Sequence, residues 1–378
     1  MGGLTADEQR VVDAAAVFVA TQVGPNAQAW DRAHADSHAV LPAAAAAGLL
    51  GIEVPVVHGG RGLSFACKRR VAETLAAADF GLAMSVINTH NVANHLARAA
   101  APSVVKRFVP ALLSGQRTGC TALTEPSAGS DFGAVTTLAR RVGDGWQIDG
   151  QKTWIVNGTH ADVIVLYAQT EAGSGARGMA AFVVDGTRSG FARAARADST
   201  ATQGMDAGGF ALQGYRAQAE ELLHPPGVAF KAALTSINGA RVYVAAMCCG
   251  MVHACLQVAS AYGSARHTFG TSLHGHQGWR WALADAAIDL DAARLMVDAA
   301  TALLDNGGDA QAAAARCKVF ATRMAGRHIA ALMHAMGAEG LREQHPFLRH
   351  LAAAQVATLV DGSTEMLLDR VARDLRTT

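Results

Sequence analysis

Apolar positions in residues 1–116 recur three and four apart in an Ala-rich background, the spacing of helices that each bury one stripe. The run is broken at Pro42, at His58-Gly59-Gly60 and at Pro102, and no strand-like alternation interrupts it. From Cys120 the texture changes. β-Branched and aromatic residues collect in Val135–Val142, Trp146–Ile148, Thr153–Val156, Val163–Tyr167 and Met179–Val184, separated by Gly143-Asp144-Gly145, Asp149-Gly150 and Asn157-Gly158. Those separators are hairpin turn signals, and the same pattern continues past Ser189-Gly190 and Asp206 to Pro225-Pro226-Gly227, so 117–228 is predicted to be an antiparallel β-domain. Beyond Pro226 the helical period returns over about 229–265, 276–306, 309–336, 345–360 and 363–376. In the second of these, Leu283, Leu290, Val297 and Leu304 recur every seven residues beside Asp291, Asp298 and Asp305, one apolar seam with a charged flank. Gly307-Gly308 ends it and Asp309 can cap the next helix. The expected fold class is therefore α+β and multidomain: an N-terminal α-helical domain (1–116), a middle antiparallel β-domain (117–228) and a C-terminal four-helix bundle (229–378).

Composition narrows the partners. The chain has 378 residues, 51% of them hydrophobic, enough for a large core. Lys and Arg number 32 against 31 Asp and Glu, a net charge of +1, which argues against a nucleic-acid or membrane surface. Two apolar stretches are long, but 39–57 holds Pro42, Glu53 and Pro55, and 242–262 carries His253 and Gln257, groups that a helix bundle satisfies more readily than lipid. The first residues lack the basic-then-apolar pattern of an export signal. Six cysteines show neither a CxxC pair nor metal-like spacing, and a reducing cytoplasm is expected.

Candidate chemistry begins at Leu359-Val360-Asp361-Gly362-Ser363-Thr364-Glu365, where a carboxylate lies between an apolar helical run and a new helix start. In a closed pocket it is a candidate general base; taken alone, the local pattern favours a helix cap. Gly173-Ser174-Gly175-Ala176-Arg177-Gly178 fits GxGxxG but joins two strands and opens no helix, so it is expected to be a loop. No P-loop, HExxH or GxSxG occurs, and His274 with His276 lacks acidic or thiol partners at ligand spacing, so no metal is assigned. More informative is Thr121-Ala122-Leu123-Thr124-Glu125-Pro126-Ser127-Ala128-Gly129-Ser130-Asp131, followed by Gln151-Lys152-Thr153-Trp154-Ile155-Val156-Asn157-Gly158. A small-residue loop exposing amides and hydroxyls, then an aromatic on a strand, can hold a polar ring system and a pyrophosphate.

These two segments resemble the TEPxAGSD loop and KxWITNG strand of the acyl-CoA dehydrogenase family. The likeness runs along the chain in order: Gly48-Leu49-Leu50-Gly51, Val54-Pro55 and Gly59-Gly60-Arg61-Gly62-Leu63-Ser64 resemble its N-terminal domain. Arg266-His267-Thr268-Phe269-Gly270, His276-Gln277 and Leu283-Ala284-Asp285 resemble the start of its C-terminal bundle, Gly337-Ala338-Glu339-Gly340 its GGNG turn, and Asp361-Gly362-Ser363 its EGT segment.

The resemblance implies FAD as cofactor, lying between β-domain and bundle. It implies that Leu123, Thr124 and Ser130 line the flavin and its phosphates, with Trp154 and Val156 flanking the isoalloxazine and His334, Gly337 and Ser363 completing the cofactor site. Arg266, Phe269 and Gln277 match positions that reach the FAD of a neighbouring subunit, which implies a homodimer or homotetramer. The implied reaction is α,β-dehydrogenation of an acyl thioester, Asp361 removing the α-proton while hydride passes to flavin N5, with an electron-transfer flavoprotein or oxygen as acceptor. Four departures stand out: Asp361 for the family's Glu, Val156 for its Thr, His334 for its Gln, and Leu351-Ala352-Ala353-Ala354 for its charged run. An Asp shortens the base by one methylene, on the order of 1 Å. Alternatives left by these departures are a carrier-protein-bound acyl or hydroxyacyl substrate, as in polyketide or peptide pathways, a flavin monooxygenase on the same fold, and a non-catalytic flavoprotein.

Overall fold

The computed structural model describes residues 3–33, 37–194 and 203–375. Six helices come first: α1 (Ala6–Phe18), α2 (Ala27–Ala33), α3 (Leu41–Ala46), α4 (Phe65–Ala76), α5 (Phe80–Ala99) and α6 (Pro102–Leu113). Strands β1 (Gly119–Ala122), β2 (Leu138–Val142), β3 (Gly145–Ile155), β4 (Val163–Gln169), β5 (Met179–Asp185), β6 (Phe191–Arg193), β7 (Gly208–Ala217) and β8 (Leu222–His224) follow. Helix α7 (Ala229–Ala265), a hairpin of β9 (His267–Thr268) and β10 (Thr271–Ser272), and α8 (Gln277–Asp305), α9 (Gln311–Ala335), α10 (Phe347–Leu359) and α11 (Thr364–Asp374) complete the chain. The chain gathers into two compact units, one of residues 1–35, 65–83 and 238–378, the other of residues 36–64 and 84–237.

In the second unit the strands form one sheet in the order β6-β7-β3-β2-β4-β5-β8, with β1 also on β4. β4 and β5 are buried along their whole length because both sheet faces are covered. Val163, Val165, Tyr167, Ala181 and Val183 join a core with Val92 and Leu96 of α5 and Val104 and Phe108 of α6. Their alternates Ile164, Leu166, Phe182 and Val184 join Trp146, Ile148, Phe210 and Tyr215 on the opposite face.

The β-domain is antiparallel except that β1 and β4 pair in parallel, as does one residue pair of β2 and β4. Gly143-Asp144 does turn the β2–β3 hairpin, with Val142 opposite Gly145. Asp149-Gly150 does not turn: β3 runs through it, and the register against β7 slips there. Gly150 sits at φ 150°, where a Cβ would lie 2.5 Å from Thr137 Oγ1, and Asp149 Oδ1 accepts from Gly214 N at 2.6 Å. The Asp-Gly pair is thus a bulge held from the neighbouring strand. Nor does Asn157-Gly158 make a hairpin, because β3 and β4 are not partners. Asn157, at φ 62°, donates from Nδ2 to the carbonyls of Gly119 at 2.9 Å and Ser85 at 3.1 Å. The strand expected from Val135 begins at Leu138, since the amides of Thr136 and Thr137 go to a carboxylate instead of a neighbouring strand.

In the first unit, α9 packs against α8, α10 and α11. The heptad seam of α8 holds, with Leu290 and Val297 buried and Leu283 and Leu304 half-buried. Its charged flank has specific partners: Asp298 pairs with Arg69, and Asp305 accepts from the amides of Phe65 (2.8 Å) and Ala66 (3.1 Å), capping α4. Gly250 of α7 lies so close to α4 that a Cβ there would meet the Glu73 carbonyl oxygen at 2.1 Å. Helix α7 is long and apolar enough to cross a membrane, but 72% of its most apolar window is buried in the protein, as a core helix requires. Asp309 accepts from Gln311 N at 2.9 Å at the start of α9.

Candidate active site

The small-residue loop after β1 is fastened to β3 by a buried ion pair. Lys152 Nζ donates to Glu125 Oε1 at 2.8 Å and to the Leu123 carbonyl at 2.9 Å, and both side chains are essentially without solvent exposure. Glu125 also accepts from Thr136 N (2.6 Å), Thr136 Oγ1 (2.7 Å) and Thr137 N (3.0 Å). Burial works against its charge, but Lys152 and the threonine donors outweigh it and hold the carboxyl down at about 2. Burial lowers Lys152 to about 8. Thr153 N donates to the Thr124 carbonyl at 3.1 Å, so loop and strand are joined by backbone as well.

That anchoring leaves the next residues facing outward. Thr124 and Leu123 are half-buried and Ser130 is exposed. Trp154 is 61% exposed and sits at φ 56°. It lies where the β3–β7 register slips a second time, between Lys152 and Ile155. A bulge re-aims a side chain, and a left-handed aromatic persists only where its surroundings impose it; such strain collects at functional sites. Val156 is half-buried beside it, ahead of the buried Asn157.

In the first unit, Asp361 follows α10 at φ 54° and Gly362 at φ 100°. The cap belongs to Ser363, whose Oγ accepts from Met366 N at 3.4 Å, so Asp361 does not cap α11. Two cations hold the Asp361–Gly362 backbone: Arg241 Nε donates to the Asp361 carbonyl at 3.0 Å and Lys318 Nζ to that of Gly362 at 2.6 Å. Burial raises the proton affinity of the Asp361 carboxyl, with Lys318 and Arg241 opposing. Lys318 is itself lowered to about 8 by burial, against the pull of Asp361. A carboxyl whose proton affinity is raised by burial and opposed by two cations is a candidate general base.

Arg266, Phe269 and Gln277 come together around the β9–β10 hairpin and are exposed. Phe269 (φ 51°) and Gly270 (φ 81°) are its two turn residues, the left-handed pair of a type I′ turn, and Phe269 is 100% exposed at the tip. His274 and His276 turn to the Ser260 carbonyl (2.9 Å) and to Thr268 Oγ1 (3.1 Å). His334, near the end of α9, and Gly337, at φ 64° just beyond it, are exposed. The GxGxxG stretch is the loop between β4 and β5, as expected. Sequence reading placed Glu125 and Lys152 in the motifs without their pairing, and missed Lys318 and Arg241.

Three family models match the chain in order: the N-terminal domain of acyl-CoA dehydrogenases over residues 5–116, the middle domain over 120–214 and the C-terminal domain over 230–376. The chain belongs to the acyl-CoA dehydrogenase family. Among its relatives is the mitochondrial short-chain specific acyl-CoA dehydrogenase of Bos taurus, 29% identical over 351 residues, covering 92% of this chain and 85% of that one. The structure of butyryl-CoA dehydrogenase from Megasphaera elsdenii superposes with a TM-score of 0.95 at 26% identity, covering 99% of both chains. A chain from a study of the electron transferring flavoprotein of Acidaminococcus fermentans does so with a TM-score of 0.95 at 28% identity, again over 99% of both. Acyl-CoA dehydrogenase domains thus account for both the sheet unit with its Trp154 bulge and the helical unit with Asp361.

Proposed function

We propose that this acyl-CoA dehydrogenase homologue oxidises a short acyl-CoA to its α,β-unsaturated thioester, with Asp361 as the base that removes the α-proton. The observation that carries the reading is Asp361 itself, its carboxyl raised in proton affinity by burial, relieved of capping by Ser363 and mounted on backbone anchored by Arg241 and Lys318. FAD, the cofactor of enzymes of this kind, supplies the hydride acceptor when bound. The protein's part is to orient the carboxylate, exclude water from it and present a rigid face to the ring system. Strand β3 supports such a face. Its bulge directs the exposed Trp154 outward, with Val156 two residues on, and the Glu125–Lys152 pair ties the Thr124–Ser130 loop to the same strand. The loop leaves its backbone open, since a Cβ on Gly129 would meet nothing within 4 Å.

Short acyl-CoA esters are the first choice of substrate because a short-chain specific acyl-CoA dehydrogenase and a butyryl-CoA dehydrogenase are among the relatives. An electron-transfer flavoprotein as acceptor is supported by the fold match from that system. A homo-oligomer is supported by the fully exposed Phe269 and by Trp281, Ile288 and Leu295, an exposed apolar stripe repeating every seven residues along α8. Six free, buried cysteines support a reducing cytoplasm.

The test is Asp361→Asn in FAD-loaded protein. With butyryl-CoA under anaerobic conditions the wild type should lose its yellow colour and yield the enoyl thioester. The variant should retain FAD, bind the ester and bleach at least a hundredfold more slowly, on the order expected for loss of a general base. Equal bleaching by the two proteins would remove Asp361 from the chemistry.

A further inference from the structure

Three segments of the sheet unit bring two imidazoles and a carboxylate together just beyond the end of β3. His38 comes from the turn before α3, His160 from the turn that follows Asn157-Gly158, and Asp206 from the stretch leading into β7. One ligating atom from each lies within 4.8 Å of the other two. The His38 and His160 ring centroids are 4.7 Å apart, and His160 Nδ1 contacts Asp206 Oδ2.

We propose that His38, His160 and Asp206 bind one divalent transition-metal ion that cross-links these three segments. Two imidazoles and one carboxylate form a borderline donor set of the kind zinc accepts, with a fourth position left to water. A single carboxylate without carbonyl ligands is a poor site for calcium or magnesium. The geometry needs little change. Atoms bound at about 2.0–2.1 Å to a tetrahedral ion stand roughly 3.3 Å apart, so the His160–Asp206 contact must open and the longer separations must close by about an ångström or more, within side-chain rotation.

The surroundings hold the donors in place as a metal site's outer shell does. His38 Nε2 faces Asn157 Oδ1 at 3.1 Å and Ser85 Oγ at 3.5 Å, and Asn157 is itself fixed to the Gly119 and Ser85 carbonyls. Thr159 Oγ1 donates to Asp206 Oδ2. Arg193 donates to the Ala161 carbonyl at 2.9 Å and that of Thr159 at 3.3 Å, bracing the turn that carries His160. Asp206 is buried and its backbone is left-handed at φ 48°. The His160 side chain is 44% exposed and gives an ion a way in. Because Asn157 follows Trp154 and Val156 on the same stretch of chain, an ion here would stiffen the end of the strand that carries them.

The experiment uses untagged, FAD-loaded full-length protein, stripped with a chelator and reconstituted with Zn²⁺ or Co²⁺. One zinc per chain should remain after gel filtration, the melting temperature should rise by several degrees, and Co²⁺ should add ligand-field absorption at longer wavelength than the flavin bands. His160→Ala, at an exposed position where folding is not at stake, and Asp206→Asn should each weaken zinc binding at least tenfold, with flavin content unchanged in His160→Ala. Wild-type protein that retains no zinc and shows no cobalt spectrum overturns the proposal. So does stoichiometric zinc that His160→Ala leaves undiminished, since the ion would then sit elsewhere.

Discussion

Lys318 Nζ donates to the Gly362 carbonyl at 2.6 Å, from a side chain that is only 1% exposed. With Arg241 on the preceding carbonyl, it fixes the backbone on which Asp361 is mounted, and its charge also opposes the burial that raises the Asp361 proton affinity. Lys318→Met keeps the length and removes both effects. An error of about 1 Å in placing a catalytic group costs on the order of a hundredfold in rate, so kcat should fall about ten- to a hundredfold with FAD retained. The sign of the pH effect follows: without the cation the carboxyl holds its proton more tightly, and the proposed base works only when ionised. The acid limb of the kcat/KM profile should therefore move to higher pH. A uniform loss of rate with an unmoved limb would mean that Lys318 acts on packing alone.

Much of this arrangement could be read along the chain, and the residues show where reading stops. Helices α7 to α11 were legible because period and breakers agree: Pro225-Pro226-Gly227 precedes α7, Gly307-Gly308 follows α8, and Ser363 starts α11. Trp154 and Asp361 stand on the motifs that carry the family likeness, but the cap that the local pattern favoured at Asp361 belongs to Ser363, which the pattern alone does not separate from its neighbour. Asp149-Gly150 misled because an Asp-Gly pair suits a turn and a bulge equally, and only the partner strand, through Thr137 and Gly214, decides between them. Lys318 and Arg241 escaped notice because their partners are backbone carbonyls more than forty residues away in sequence, which leave no mark in a local pattern.

Glu125 and Lys152 were both visible in the motifs, but their pairing was not. Glu125→Gln leaves a buried ammonium without its counter-charge, which should cost about 3–5 kcal/mol of unfolding free energy at pH 7. The carboxyl ionises at about 2 in the folded protein against an ordinary 4.5, so its stabilisation is complete above the unfolded value and is lost as pH falls from there toward 2. Urea unfolding of wild type should therefore weaken over this acid range, and Glu125→Gln should show a flatter dependence. Parallel acid slopes in the two proteins would contradict the assignment.

Trp154 separates stability from cofactor binding. A left-handed non-glycine residue costs about 1–2 kcal/mol, and an indole that is 61% exposed regains little of that by burial. Trp154→Gly removes the strain, offset in part by the greater backbone entropy of glycine in the unfolded chain. The flavin-free protein should unfold at the same urea concentration or slightly higher, while FAD affinity, followed by flavin fluorescence quenching, drops at least tenfold. Unchanged FAD affinity would take Trp154 out of the ring-binding face.

Phe269 poses the same question for assembly. A phenyl ring that is 100% exposed at the tip of a hairpin, on a backbone at φ 51°, is unfavourable in an isolated chain on both counts. The turn it occupies favours Asn before Gly. Phe269→Asn should therefore leave the fold of the single chain intact or slightly steadier. If the ring instead docks on a second copy and its cofactor, the same change should shift light-scattering mass toward smaller species and speed FAD loss, both effects growing as the protein concentration falls. A variant with wild-type mass and wild-type FAD retention at every concentration would show that the hairpin tip serves neither contact.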